Sequence, residues 1–237
     1  MQNNTWAAVV VAAGRGTRMG SAESKQYLSL GGKPILARSL ALFQSMPEVA
    51  EIVLVVGTAD VERCGEFTRS YGLDKLVRIV PGGADRQESV YLGLQAVTQP
   101  WVLVHDGVRP LVSAAAVRRC CDQAERLGAA VLAVPVKDTI KQVDGDGLIT
   151  ATPDRNSLWA IQTPQAFRYE LLLSAHEAAR AAGFSGTDDA MVVERAGEPV
   201  AVAEGEYTNI KITTPEDLPY AEFLLTQGIG EPCGRGD

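Results

Sequence analysis

Between residues 9 and 25 the chain reads VVVAAGRGTRMG and then reaches Lys25. A run of valines passes directly into Ala12, Ala13 and Gly14, small residues that let a ligand approach the backbone. Unpaired amides in such a turn can hold phosphate oxygens. Arg15, Arg18 and Lys25 add three cations within eleven residues. A backbone cradle with clustered cations suits a triphosphate. The pattern departs from two familiar phosphate loops. A dinucleotide fingerprint needs a third Gly where Met19 stands, and a Walker loop needs a Gly before Lys25.

Further candidates lie downstream. Asp106 ends the apolar run in VLVHDGVRP. A carboxylate at the carboxyl end of a strand is well placed for Mg²⁺, which takes one or two carboxylates plus phosphate oxygens. The plainer reading is a turn-capping Asp. Arg109 either contacts a ligand or pairs with an acid at the sheet edge. Gly82 and Gly83 close another apolar run, and Ser89 follows in a helical pattern. His105 beside Asp106 is expected to be structural, and His176, in mid-helix, to lie at the surface. No Ser-His-Asp or Cys-His set is evident.

These residues need a scaffold. Short Val-rich runs at 7–14, 51–57, 77–83, 101–107 and 129–136 read as strands buried on both faces, as in a parallel sheet. Helical patterns lie between them. The segment 85–97 opens with Asp85 and Glu88 at capping-box spacing. The segment 113–128 starts at Ser113 and stops at Gly128. Later helices are predicted over 169–183, over 187–197 with Thr187 as cap, and over 213–225 with a Thr cap and Pro215 in the first turn. The alternation predicts a Rossmann-like, doubly wound α/β fold with a mostly parallel sheet and ligands at the strands' carboxyl ends. One domain is expected over 1–227, with a mobile Gly-rich tail at 228–237. The rhythm breaks at 137–157, where two polar, β-branched stretches flank Asp144-Gly145-Asp146-Gly147. That is a hairpin signal. It reads as an arm projecting from the sheet and packing on a second subunit, since a lone two-stranded ribbon is marginal.

Composition narrows the partners. The 237 residues carry 22 Lys plus Arg against 29 Asp plus Glu, a net charge of −7. A nucleic-acid partner is not expected from that balance. No apolar stretch approaches the ~20 residues of a membrane helix. The four cysteines show no metal or redox spacing, and the N-terminal apolar run leads into a turn rather than a cleavage site. A cytoplasmic protein is expected.

The pattern AAGxGxRM followed by KQYLxLxGKP resembles the nucleotidyltransferases of sugar and polyol phosphates. GGADRQESV (82–90), VLVHDGVRP (102–110), KDTIK (137–141), DRNSLWAIQTPQAF (154–167), TDDA (187–190) and NIKITTPEDL (209–218) narrow the resemblance to the 2-C-methyl-D-erythritol 4-phosphate cytidylyltransferase family. The resemblance spans roughly 7–225. Ala84 and Gly107 depart from it, at positions where some members carry Asp and where Ala is often found, respectively. The resemblance implies cytidylyl transfer from CTP with Mg²⁺, by a homodimer joined through its arms. It assigns Arg18 to the triphosphate and Lys25 to the α-phosphate, both as transition-state stabilisers. It assigns Ala12, Ala13, Gly14, Gly82, Gly83, Ser89, Asp106 and Gly107 to the nucleotide. Arg155 and Lys211 are assigned to gripping the polyol phosphate. Asp106, Arg109, Thr139, Thr163 and Thr187 are placed around the same substrate. Transfer to ribitol 5-phosphate is the alternative with the same chemistry. A non-catalytic nucleotide sensor or a dinucleotide reductase would be the reading from another class. Arg155 has a plainer reading too, as a brace paired with Asp154.

Overall fold

The computed structural model describes residues 5–14 and 23–230. The chain runs through β1 (Trp6–Ala12), the short pair β2 (Ser29–Leu30) and β3 (Lys33–Pro34), α1 (Ile35–Ser45), β4 (Val49–Val56), α2 (Val61–Ser70), β5 (Leu76–Pro81), α3 (Arg86–Leu94) and β6 (Trp101–Asp106). It continues through α4 (Ala114–Leu127), β7 (Ala129–Pro135), β8 (Gln142–Val143), β9 (Ile149–Ala151), β10 (Trp159–Arg168), α5 (Tyr169–Ala181), α6 (Asp189–Arg195), β11 (Ala201–Glu204) and α7 (Asp217–Thr226).

Seven strands form one sheet in the order β11-β7-β10-β6-β1-β4-β5. All neighbours are parallel except β10, which runs antiparallel to both β6 and β7. Four of the five Val-rich runs are buried on both faces, as expected; the run at 77–83 is instead the edge strand β5, with no buried residue and Val77 41% exposed, because only β4 flanks it. Along β1, Ala8, Val10 and Ala12 enter one core with Leu40 and Phe43 of α1 and Cys120 of α4. Ala7 and Val9 enter the opposite core with Val90 and Leu94 of α3 and Leu172 of α5. Strand order reverses at β1: β4 and β5 extend one way and β6 lies on the other side. That reversal opens a crevice at the carboxyl ends of β1 and β6.

The predicted caps of α3 and α4 are present. Asp85 accepts from the Glu88 amide at 2.7 Å, Ser113 accepts from the Ala116 amide at 3.1 Å, and Gly128 turns the chain at φ 93°. Two other caps differ. Asp188, not Thr187, caps α6 by accepting from the Met191 amide at 2.9 Å. Before α7 the direction is reversed: the Asp217 carboxylate accepts from the Thr213 and Thr214 amides at 2.7 and 2.8 Å, and the helix starts after Pro215. His176, expected at the surface, is fully buried on α5 and bonded to Asp189. A polar residue inside a helical pattern gives no sign of which face meets a partner carboxylate.

The antiparallel strand follows from the arm. β7 leaves the sheet at Pro135 and β10 re-enters opposite it at Trp159. No crossover helix intervenes, and a direct return can only be antiparallel. The arm is thus the tip of a long β7–β10 hairpin, closed at its base by the Val136 amide on the Leu158 carbonyl at 3.0 Å. Its own strands, β8 and β9, pair antiparallel around the Asp144–Leu148 turn, and all their residues are exposed. At the chain's other end Ile229 packs with Leu30, Leu111 and Leu224. The rest of the tail, from residue 231, lies outside the described residues.

Candidate active site

The crevice is built first by β1. Its chain continues through Ala13 and Gly14, and Arg15 and Arg18 then lie outside the described residues. Lys25 opens a single turn, Lys25–Tyr27, whose next two residues, Gln26 and Tyr27, are buried. Gln26 Nε2 donates to the Ala12 carbonyl at 2.9 Å. The Tyr27 ring carries the Arg63 guanidinium 3.9 Å from its centroid, and its hydroxyl lies 3.2 Å from Cys64 Sγ. Those anchors leave Lys25 lining the cavity.

The GGAD turn forms the facing wall. Gly82 packs so closely that a Cβ there would stand 2.5 Å from the Ala13 Cβ and 2.9 Å from Ser89 Oγ, so no larger residue fits without displacing the wall. The Ser89 hydroxyl donates to the Asp85 carbonyl at 2.7 Å and accepts from the Gly83 amide at 3.1 Å. It therefore shapes the turn as well as lining the cavity. Ala84, one of the departures from the family pattern, gives its amide to Glu88 Oε2 at 2.8 Å.

Asp106 at the end of β6 is the electrostatic centre. Lys211 Nζ lies 2.8 Å from Oδ2, Arg86 Nε 3.2 Å from Oδ1, and Arg109 Nε 3.9 Å from Oδ2. Burial pushes this carboxyl up, but Arg86, Lys211 and Arg109 outweigh burial and hold it well below the usual carboxylate range. The Asp106 backbone is fixed by a directional chain. His105 Nε2 lies 3.1 Å from the Arg109 carbonyl, which only accepts, so Nε2 carries the proton. Nδ1 then accepts from the Thr163 hydroxyl at 3.1 Å, and Thr163 Oγ1 accepts from the Asp106 amide at 3.0 Å. Burial lowers the His105 imidazole to about 4, so it stays neutral.

Lys211 is delivered by the segment 209–212, which crosses the ends of β6 and β10. The Ile212 amide donates to the Val108 carbonyl at 2.9 Å, Asn209 Nδ2 to the Thr163 carbonyl at 2.9 Å, and Arg109 Nη1 to the Asn209 carbonyl at 2.8 Å. Arg109 thus pairs with an acid and braces this segment.

Two contiguous hollows result. The first encloses about 230 Å³ between the β1 turn and the GGAD turn, and Ala12, Ala13, Gly14, Lys25, Gly83 and Ser89 line it. The second, about 260 Å³, is lined by Arg109, Thr163 and Thr187. Asp106, Lys211 and Arg86 line both. Gly107 lies behind the wall, its amide on the Val11 carbonyl at 2.9 Å. Thr139 and Arg155, both exposed on the arm, line neither hollow, and Arg155 Nη1 donates to the Lys137 carbonyl at 2.9 Å rather than pairing with Asp154. Sequence reasoning passed over Arg86, Gln26 and Asp189. Arg86 directly follows the cap Asp85 within GGADRQESV, a cation beside the glycine turn.

Comparisons with known proteins show the family of the chain. The family model for 2-C-methyl-D-erythritol 4-phosphate cytidylyltransferase matches residues 6–227. A protein of that name from Geobacillus kaustophilus is 48% identical over 225 residues, covering 94% of this chain and 98% of the relative. Another from Desulforamulus reducens is 48% identical over 221 residues, covering 92% and 94%. A crystal structure of 4-diphosphocytidyl-2C-methyl-D-erythritol synthase from Anaerococcus prevotii superposes with a TM-score of 0.84 at 34% identity, over 95% of this chain and all of the other (100%). The Thermus thermophilus cytidylyltransferase structure gives 0.77 at 37% identity, over 92% and 98%. On these matches the chain belongs to the 2-C-methyl-D-erythritol 4-phosphate cytidylyltransferase family.

Proposed function

We propose that this chain transfers the cytidylyl group of CTP to 2-C-methyl-D-erythritol 4-phosphate, releasing pyrophosphate, in the non-mevalonate route to isoprenoid precursors. The observation that carries the reading is the pair of joined hollows with Lys25 in the first and Lys211 at their junction. The acceptor's phosphate oxygen attacks the α-phosphorus of CTP in line. A phosphate dianion is already a nucleophile, so no general base is needed. The work is to align two anions and stabilise the charge that develops. Lys25, with Arg18 of the same loop, serves the triphosphate; Lys211 holds the acceptor phosphate against Asp106. Thr163 and Thr187 face the polyol. Neither histidine is available for proton transfer: both are buried, His105 between Thr163 and Arg109 and His176 against Asp189.

A magnesium ion fits this donor set. Mg²⁺ needs only one or two carboxylates when phosphates and water complete its shell. Asp106 offers a carboxylate that is held ionised and lines both hollows. When bound, the ion would neutralise triphosphate charge.

The working unit in this reading is a homodimer. The arm exposes Val143, Leu148 and Ile149, at 59, 65 and 63%, and nearby Trp159 and Ile161 are also open. Apolar side chains gathered on so thin a ribbon call for a protein surface to cover them. A second subunit's arm would bring Thr139 and Arg155 to the acceptor hollow. Among the described residues no helix is long and apolar enough to cross a membrane. The buried cysteines Cys64, Cys120 and Cys121 suit a reducing cytoplasm.

The test is pyrophosphate release from CTP with either polyol phosphate, with the product followed by phosphorus NMR. Release with the methylerythritol phosphate well ahead of ribitol 5-phosphate supports the reading. A preference for ribitol 5-phosphate, or no release with either, overturns it.

A further inference from the structure

Arg86, half-buried, and Asp189, fully buried, are two charges that the reaction as described leaves without a task. Arg86 Nε donates to Asp106 Oδ1 at 3.2 Å, and Nη1 donates to Asp189 Oδ2 at 2.8 Å. Burial opposes the guanidinium charge, but the two carboxylates outweigh it and keep the group protonated. Two of its three nitrogens are thereby fixed, and with them the plane of the fork. The third, Nη2, has no hydrogen-bond partner among the described residues, and it is not among their buried unpartnered atoms, which belong to Glu48, Arg109, His176 and Asn209. The side chain is 28% exposed and lines both hollows.

Asp189 is the opposite case. Its side chain is 1% exposed, and every contact faces inward. Oδ1 accepts from His176 Nε2 at 3.2 Å, Oδ2 takes Arg86, and its amide donates to Gln165 Oε1 at 3.1 Å. A pair that served the core alone would close over both partners. Here one end is locked and the other end opens where the two hollows meet.

We infer that Arg86 is a further substrate-contacting residue, whose open Nη2 edge takes phosphate oxygens at the junction of the two substrates, and that Asp189 is the positioning residue that sets the plane of its guanidinium. A guanidinium held through Nε and Nη1 by two carboxylates keeps a fixed plane and presents the N–H groups of Nη2 to phosphate oxygens in a set direction, which a freely rotating ammonium cannot do. The inference rests on the proposed cytidylyl transfer and deepens it.

The experiment compares wild type, Arg86→Lys, Asp189→Asn and the double variant by kcat and KM for each substrate and by thermal melting. Wild-type activity tests the transfer reaction itself; the variants test Arg86. Arg86→Lys keeps the charge between the two acids and loses the fork. It is expected to melt within a few degrees of wild type while kcat/KM falls by about 10²-fold, mostly in kcat. Asp189→Asn is expected to cost about tenfold with Arg86 present and less than about twofold in the Arg86→Lys chain, since it acts through that side chain. Wild-type activity with Arg86→Lys unchanged overturns the inference. So does an Arg86→Lys chain that loses its folding transition together with its activity, which would make Arg86 a core ion-pair residue. Equal effects of Asp189→Asn in both backgrounds would remove the positioning role.

Discussion

Lys211 Nζ and Asp106 Oδ2 are 2.8 Å apart, joining the segment before α7 to the end of β6 at the junction of the two hollows. The ammonium that is to hold the acceptor phosphate is placed by a carboxylate that is itself buried and ionised. Asp106→Asn removes the anchor without changing shape. It is expected to lower kcat/KM for the polyol phosphate by about 10²-fold, with KM for that substrate rising more than KM for CTP. Unchanged acceptor kinetics would separate Asp106 from the placement of Lys211.

His105 sets an acid limit on stability. Burial holds its imidazole neutral down to about 4 in the folded chain, whereas an unfolded His titrates near ~6.5. Between those values the unfolded state binds more protons, so stability rises with pH across the window. The contribution is complete above ~6.5 and is lost as pH falls toward about 4. It amounts to on the order of 3 kcal/mol. Denaturant midpoints between pH 7 and 4.5 should fall for wild type and fall less for His105→Gln. Parallel curves for the two would refute the assignment.

Lys25 lines the nucleotide hollow on a turn anchored by Gln26 and Tyr27. Lys25→Ala removes the ammonium from the hollow while Gln26 and Tyr27 keep their own anchors. Turnover is expected to drop by about 10²–10³-fold, with a smaller change in CTP affinity by calorimetry. Arg18→Ala is expected to behave alike. Turnover within twofold of wild type for both variants would exclude a transition-state role.

Chelation tests the magnesium requirement. EDTA is expected to abolish pyrophosphate release and excess Mg²⁺ to restore it, with Asp106→Asn shifting the half-saturating Mg²⁺ concentration upward. Full activity in chelator would remove the ion from the reaction.

The arm allows a complementation experiment. Arg155 lines neither hollow of its own chain, and its guanidinium reaches the Lys137 carbonyl at 2.9 Å. If it serves a neighbour while Lys25 serves its own chain, a mixed dimer of Arg155→Ala and Lys25→Ala carries both lesions in one site and neither in the other. Subunit exchange between the two inactive proteins should then restore about half of wild-type activity per heterodimer. Heterodimers without activity would place Arg155 in its own chain's site.

What the sequence by itself determined is what short-range physics decides. Continuous Val-rich runs mark strands, Ser113 and Gly128 bound α4, and the small residues after β1 mark a backbone cradle, because each depends on near neighbours; that the run at 77–83 would be an exposed edge strand was not legible, since sheet order is set by tertiary pairing. The polar break at 137–157 likewise shows the arm. Tertiary structure alone decided the rest. β10 is antiparallel because the chain turns back at the arm with no crossover, and no residue within Trp159–Arg168 states that direction. His176 is buried because α5 turns that face toward Asp189 of α6. Arg86 reads as an ordinary first-turn residue until the fold brings it to Asp106 and Asp189, 20 and 103 positions away. Such charges meet only when the sheet has assembled, since their pairing gains strength from the burial that the whole fold supplies.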